Sequence, residues 1–125
     1  MDERKKARWR WVFAAGLAAA VMVASSIPGG RLPQEKAFSG QDKLIHVAVY
    51  FLLALLFARA MNVPRRNAWL VGGAAFAAAT AFGALEEAHQ MLVPQRVATV
   101  WDALANGVGA GAAGVLWPAV QSKWP

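Results

Sequence analysis

The sequence predicts an all-α, integral-membrane four-helix bundle, and three observations carry that prediction. Hydrophobic residues make up 58% of the 125 and charged ones only 16%, too apolar a balance for a small domain that folds in water. The apolar residues gather into four runs, each near the roughly 20 residues a helix needs to cross a hydrocarbon core. Between the runs stand Pro, Gly and Asn, which end helices where the backbone can again bond to water.

Residues 1–8 form a basic tail, and the first span runs from about Trp9 to Ile27, where Pro28-Gly29-Gly30 stops it. A secretory signal is the competing reading, since a basic leader precedes this run. The apolar stretch from Trp11 to Ile27 is longer than a usual signal core, and no small-x-small cleavage site precedes Pro28, so a retained span is expected. The second span follows Asp42-Lys43 and covers about 44–61, ended by Asn62, Pro64, Arg65 and Arg66. The third covers about 68–92: it is uncharged to Leu85, then carries Glu86, Glu87, His89 and Gln90 before Pro94. The fourth covers about 99–120 with Asp102 and Asn106 in its opening turns, and residues 121–125 form a short tail.

The net charge of +6 raises the question of nucleic acid, but the bases lie in tails and loops without a basic face, so no nucleic-acid partner is expected. Cysteine is absent, which excludes disulfides, thiolate metal sites and a cysteine nucleophile. Orientation follows from the bases, because short cytoplasmic loops are enriched in Lys and Arg. With the amino terminus inside, nine are cytoplasmic (Arg4, Lys5, Lys6, Arg8, Arg10, Arg59, Arg65, Arg66, Lys123) and four are outside (Arg31, Lys36, Lys43, Arg96). Both termini and the 62–67 loop are therefore predicted to be cytoplasmic. Trp9, Trp11, Trp69 and Trp117 then fall near the inner interface and Trp101 near the outer one.

Lipid solvates leucine as well as another helix does, so close helix contact needs small residues. Ala103, Gly107, Gly111 and Gly114 recur at helical spacing in the fourth span, and Gly107 with Gly111 makes a GxxxG pair. Gly72, Ala75, Ala79 and Gly83 form a comparable seam in the third. With four spans in one chain, these seams are expected to pack within the chain rather than between chains; oligomeric state is left open.

Ionisable side chains inside a span cost a few kcal/mol and usually face a protein interior. Here Asp42, Lys43 and His46 open the second span, Glu86, Glu87, His89, Gln90 and Arg96 close the third, and Asp102 and Asn106 open the fourth. Helix direction alternates, so all three clusters lie at one membrane side, the outer one on the charge count. Residues three or four apart share a face, which lines up Asp42, His46 and Tyr50, then Glu86 or Glu87 with Gln90, then Asp102 with Asn106. Glu86 and Glu87 point about 100° apart, so one of them is expected to face a shared pocket.

Asp42-Lys43-x-x-His46-x-x-x-Tyr50, Glu87-x-x-Gln90, Pro94-x-Arg96 and Asp102-x-x-x-Asn106-Gly107, in this order on consecutive spans, resemble the VanZ-like membrane proteins over roughly Gln41 to Gly114. The departures are Thr99, where an acidic residue is common, and Gln95, where a small one often sits. The resemblance implies a multi-pass protein of the bacterial cytoplasmic membrane, linked to the cell envelope and to glycopeptide resistance, where the family's namesake lowers sensitivity to teicoplanin. The family also resembles a wider set of four-helix membrane domains that includes enzymes exchanging lipid head groups.

On that reading the pocket binds a phospholipid or polyprenyl phosphate and transfers or hydrolyses its head group, with membrane lipids as partners and no cofactor. Arg96 offers a planar, permanently charged fork for phosphate. His46 is the base or nucleophile, oriented by Asp42 or Asp102. Glu87 exchanges a proton with a hydroxyl or water. Asp42, Lys43, Tyr50, Glu86, His89, Gln90 and Asn106 complete the substrate-binding set. Three readings compete. The groups can form a structural hydrogen-bond network or lipid-binding site without chemistry. Glu86-x-x-His89 with His46 and Asp102 can hold a metal, although the helix-bundle di-metal arrangement needs two such motifs, so none is expected. A small transporter also uses ionisable groups within spans, but no polar path continues through the Ala, Gly and Leu of the other half.

Overall fold

A computed structural model describes residues 2–31, 40–62, 66–97 and 99–124. Lys36, Pro64 and Arg65, which enter the boundaries and the charge count above, lie outside the described residues. Four α-helices, α1 (Glu3–Ser25), α2 (Gln41–Met61), α3 (Ala68–Gln90) and α4 (Val100–Val120), account for most of the chain, with 3-10 turns at Gly29–Arg31 and Gln121–Lys123 and no strand among the described residues. All four are long and apolar enough to cross a membrane, which suggests a multi-pass membrane protein.

The helix ends follow local chemistry. α1 starts at Glu3, well before Trp9, because Asp2 caps it by accepting from the Arg4 N–H and the basic residues that follow are good helix formers. An ion pair from Lys6 to Glu3 at 3.0 Å runs along that first turn. At its other end the Ser26 hydroxyl turns back to donate to the Met22 carbonyl, and Pro28 follows. Asn67 caps α3 by accepting from the Trp69 and Leu70 N–H groups. Thr99 caps α4 by accepting from the Asp102 N–H.

α4 is the central element: it packs along α2 and α3, which also meet each other, while α1 lies outside against α2. Only Ala14 and Ser25 of α1 are buried. One core layer joins Tyr50, Leu53 and Ala54 to Ala79, Ala110 and Ala113. A second, at the opposite end from the polar residues, joins Ala58, Val71, Ala75 and Trp117.

The α3 seam forms as expected, with Gly72, Ala75, Ala79 and Gly83 all buried. On α4 the contact face differs from the expected one. Ala103 is exposed, a methyl group added at Gly107 would meet nothing within 4 Å, and Gly111 touches only the Phe76 ring. The helix instead buries Asp102, Ala105, Asn106, Gly109, Ala110, Ala113, Gly114 and Trp117. The face that carries Asp102 and Asn106 turns inward, and the residues at three- and four-residue steps from Asn106 come with it.

Two backbone approaches are close there. A methyl at Gly109 would stand 2.1 Å from the Val47 carbonyl oxygen, and one at Gly72 would stand 2.3 Å from that of Gly114. Pro118, inside α4, has no N–H for the Gly114 carbonyl, so that oxygen is free to face Gly72. Trp117 is fully buried in the second layer, so its indole packs between helices rather than on the outer surface of the bundle.

Candidate functional site

Every buried polar residue among those described (Ser25, Glu86, Gln90, Asp102 and Asn106) lies at one end of the bundle, where α1 and α3 finish and α2 and α4 begin. The polar groups there divide into two halves.

In the first half, between α2 and α4, the Lys43 ammonium donates to Asp42 at 2.7 Å and to Asp102 at 2.5 Å. The Thr99 cap sets Asp102 one turn into α4, and Gly40, at φ 84°, turns the chain into α2 so that Asp42 and Lys43 occupy its first turn. One turn on, His46 Nδ1 lies 2.7 Å from Asn106 Oδ1, and its Nε2 is 4.0 Å from Asp102 Oδ1. With the amide placed in this way Nδ1 donates, and in the neutral ring Nε2 is the basic nitrogen. Glu87 lies within electrostatic reach of Asp102, His46, Lys43 and Glu86. Both its carboxylate oxygens are shielded from solvent and have no hydrogen-bond partner, and the same holds for Asn106 Nδ2.

The second half joins α1, α2 and α3. Glu86 accepts from the Ser25 hydroxyl at 2.6 Å, from the Gln90 amide at 3.0 Å, and from the Tyr50 hydroxyl. Glu86 and Gln90 sit one turn apart on the same face of α3, which lets a single carboxylate hold both neighbours. This half is saturated: each member is bonded to another.

Adjacent positions on α3 thus send Glu86 and Glu87 to different neighbours, as their angular separation requires. His89 and Arg96 bond to the end of α1 rather than to any group of the first half. His89 Nε2 meets the Ser26 hydroxyl at 2.8 Å. The Arg96 guanidinium closes the end of α1, its Nε donating to the Ile27 carbonyl at 2.8 Å and its Nη2 to that of Ala24 at 2.5 Å. Those bonds use two of a guanidinium's five N–H groups. Glu86 is therefore engaged by Tyr50, Ser25 and Gln90, and His89 Nε2 by Ser26. Among the described residues no group of three or more His, Asp and Glu is placed to hold a metal ion.

A cavity of about 200 Å³ lies against this end of the bundle, with His46, Tyr50, Glu86, Gln90 and Arg96 in its polar wall. His46 belongs both to this wall and to the Asn106 hydrogen bond, so it joins the two halves. Ser25 and Ser26 are members of the site that sequence reasoning missed. Their signal was faint: two adjacent hydroxyls ending an apolar run ahead of a proline. No protein-family model, no curated protein and no solved structure matches this chain.

Proposed function

We propose that this is a VanZ-like protein of the bacterial cytoplasmic membrane, with both termini cytoplasmic, whose polar end binds a phospholipid or polyprenyl phosphate in the outer leaflet and transfers or hydrolyses its head group. The observation that carries this reading is the unsatisfied pair beside His46: the Glu87 carboxylate and the Asn106 amide nitrogen, both shielded and both without partners. A network kept for packing pairs its buried polar atoms, because each unpaired one costs about 1–3 kcal/mol, and more for a charge. Thr80 Oγ1 and Trp117 Nε1 are also unpaired, but Glu87 and Asn106 each stand beside His46, and that grouping supports a ligand there.

In the proposed reaction His46 Nε2 takes the proton of an acceptor hydroxyl or water held by Glu87. The oxygen–phosphorus bond forms, the bond from phosphorus to the departing oxygen breaks, and the imidazolium returns its proton to that oxygen. Asp102 stabilises the charged ring, and the remaining N–H donors of Arg96 and Lys43 offset the phosphate charge. Of the two departures from the VanZ-like pattern, Thr99 caps α4 as an acidic residue would, while Gln95 takes a left-handed backbone at φ 61° that favours glycine.

The mutual hydrogen bonds of Ser25, Tyr50, Glu86 and Gln90 across three helices support a structural role for the saturated half. The test of the whole is direct. Purified protein in nanodiscs is given labelled phosphatidylglycerol, phosphatidylethanolamine and undecaprenyl phosphate, and the products are resolved for wild type and Asp102→Asn. Turnover lost in a variant that melts like wild type supports catalysis; no product from any of these lipids in the wild type rejects it.

A further inference from the structure

We infer that the lipid phosphoester reaches this site sideways, from the bilayer, through a slot between α1 and α2, with the first carbons of its hydrocarbon chain against Val21, Ala24, Ile45 and Val49. The inference rests on the head-group reading above and adds to it the path by which an amphiphile still embedded in the membrane enters.

The slot is part of the cavity already described, and its lining is mixed. Val21 and Ala24 of α1 and Ile45 and Val49 of α2 supply apolar groups beside the polar ones of His46 and Arg96. Val21 to Ser25 and Ile45 to Val49 each span about one turn, roughly 6 Å along the helices. That mixed lining matches a phosphoester joined to an alkyl chain. A cavity of about 200 Å³ has room for a phosphate group and the first carbons of a chain, with polar partners for the one and apolar side chains for the other.

The mouth opens on the lipid-facing surface. Ala24 and Ile45, which line it, are exposed, and so are the neighbouring Val23, Ile27 and Leu44. At the polar end, by contrast, the segment after α1 is bonded to the loop after α3. The Gly29 N–H donates to the Pro94 carbonyl at 2.9 Å, and the Gly30 N–H to Gln95 Oε1 at 2.9 Å. Arg96 is bonded across the same junction to Ala24 and Ile27. An amphiphile in the leaflet reaches the opening beside His46 without parting that junction.

Phospholipids and polyprenyl phosphates share this chemistry, and two probes separate them. Delipidated protein in detergent is titrated with palmitoyl-oleoyl phosphatidylglycerol or with undecaprenyl phosphate, and bound lipid is counted by native mass spectrometry. Wild type is expected to keep one molecule of the preferred lipid. Ala24→Trp and Ile45→Trp, both at exposed positions where a larger side chain fills the slot without entering the core, are each expected to weaken retention at least about tenfold. Leu104→Trp, on exposed α4 surface, is expected to leave it unchanged.

Retention of neither lipid by wild type, or equal retention by all three variants, overturns the inference. Turnover assayed on the same samples keeps the two proposals apart. Lipid held in the slot but never processed leaves the slot standing and removes the catalytic reading. Turnover that persists undiminished in both slot variants does the reverse.

Discussion

His46 Nδ1 and Asn106 Oδ1 stand 2.7 Å apart, a hydrogen bond that ties the second turn of α2 to the second turn of α4. The bond orients the imidazole and leaves its other nitrogen towards Asp102. His46→Gln is expected to lower head-group turnover by about 10²- to 10⁴-fold, the usual worth of a positioned base. Asn106→Ala, which frees the ring to tilt, is expected to cost about 100-fold. Turnover by Asn106→Ala at the wild-type rate, measured in nanodiscs, would show that the ring needs no such tether.

Glu86 and Glu87 are predicted to respond to substitution with opposite signs. Glu86 accepts from Ser25, Gln90 and Tyr50, so Glu86→Leu strands buried donors and is expected to destabilise the protein by about 1–3 kcal/mol. Glu87 has no hydrogen-bond partner, so Glu87→Leu removes an uncompensated polar group and is expected to raise the melting temperature while abolishing turnover. Thermal unfolding in one detergent decides the matter: a shared sign contradicts the division of the site into a saturated and an open half.

The glycines of α3 and α4 are predicted to fall into two classes. Ala at Gly109 or Gly72 would drive a methyl into the backbone of Val47 or Gly114, and is expected to part the helices at a cost of about 1–3 kcal/mol or more. Gly73 and Gly107 have open space where a methyl would go. Ala there is expected to be neutral or to stabilise by about 0.5–1 kcal/mol through helix propensity. Destabilisation by Gly107→Ala comparable to that by Gly109→Ala would mean that the GxxxG pair is a contact after all, within the chain or between copies.

Orientation has a simple readout because the chain contains no cysteine. Gln95→Cys, in the exposed loop after α3, and Ser122→Cys, near the carboxyl terminus, place single thiols at opposite ends of the bundle. In intact cells an impermeant maleimide is expected to label the first and not the second until the membrane is opened. The inverse pattern would move the polar end to the cytoplasm, and the proposed leaflet with it.

The number of long apolar helices, their approximate ends and the gathering of polar groups at one end of the bundle were all legible in the sequence. Apolar length, Pro, Gly and Asn as stops, and alternation of helix direction are one-dimensional signals that need no partner helix to be read. The chain alone did not determine which face of each helix turns inward. In a soluble bundle the water-facing side is polar and announces itself; here lipid and protein interior are equally apolar, so Gly107 and Gly109 look alike until a neighbour fills the space beside one of them. Tertiary structure made that choice. It also sent Glu86 and Glu87 to different companions, turned Arg96 onto the carbonyls that end α1, brought Ser25 into the site and buried Trp117. Each of those outcomes depends on where a second helix stands, which spacing along a single helix does not encode.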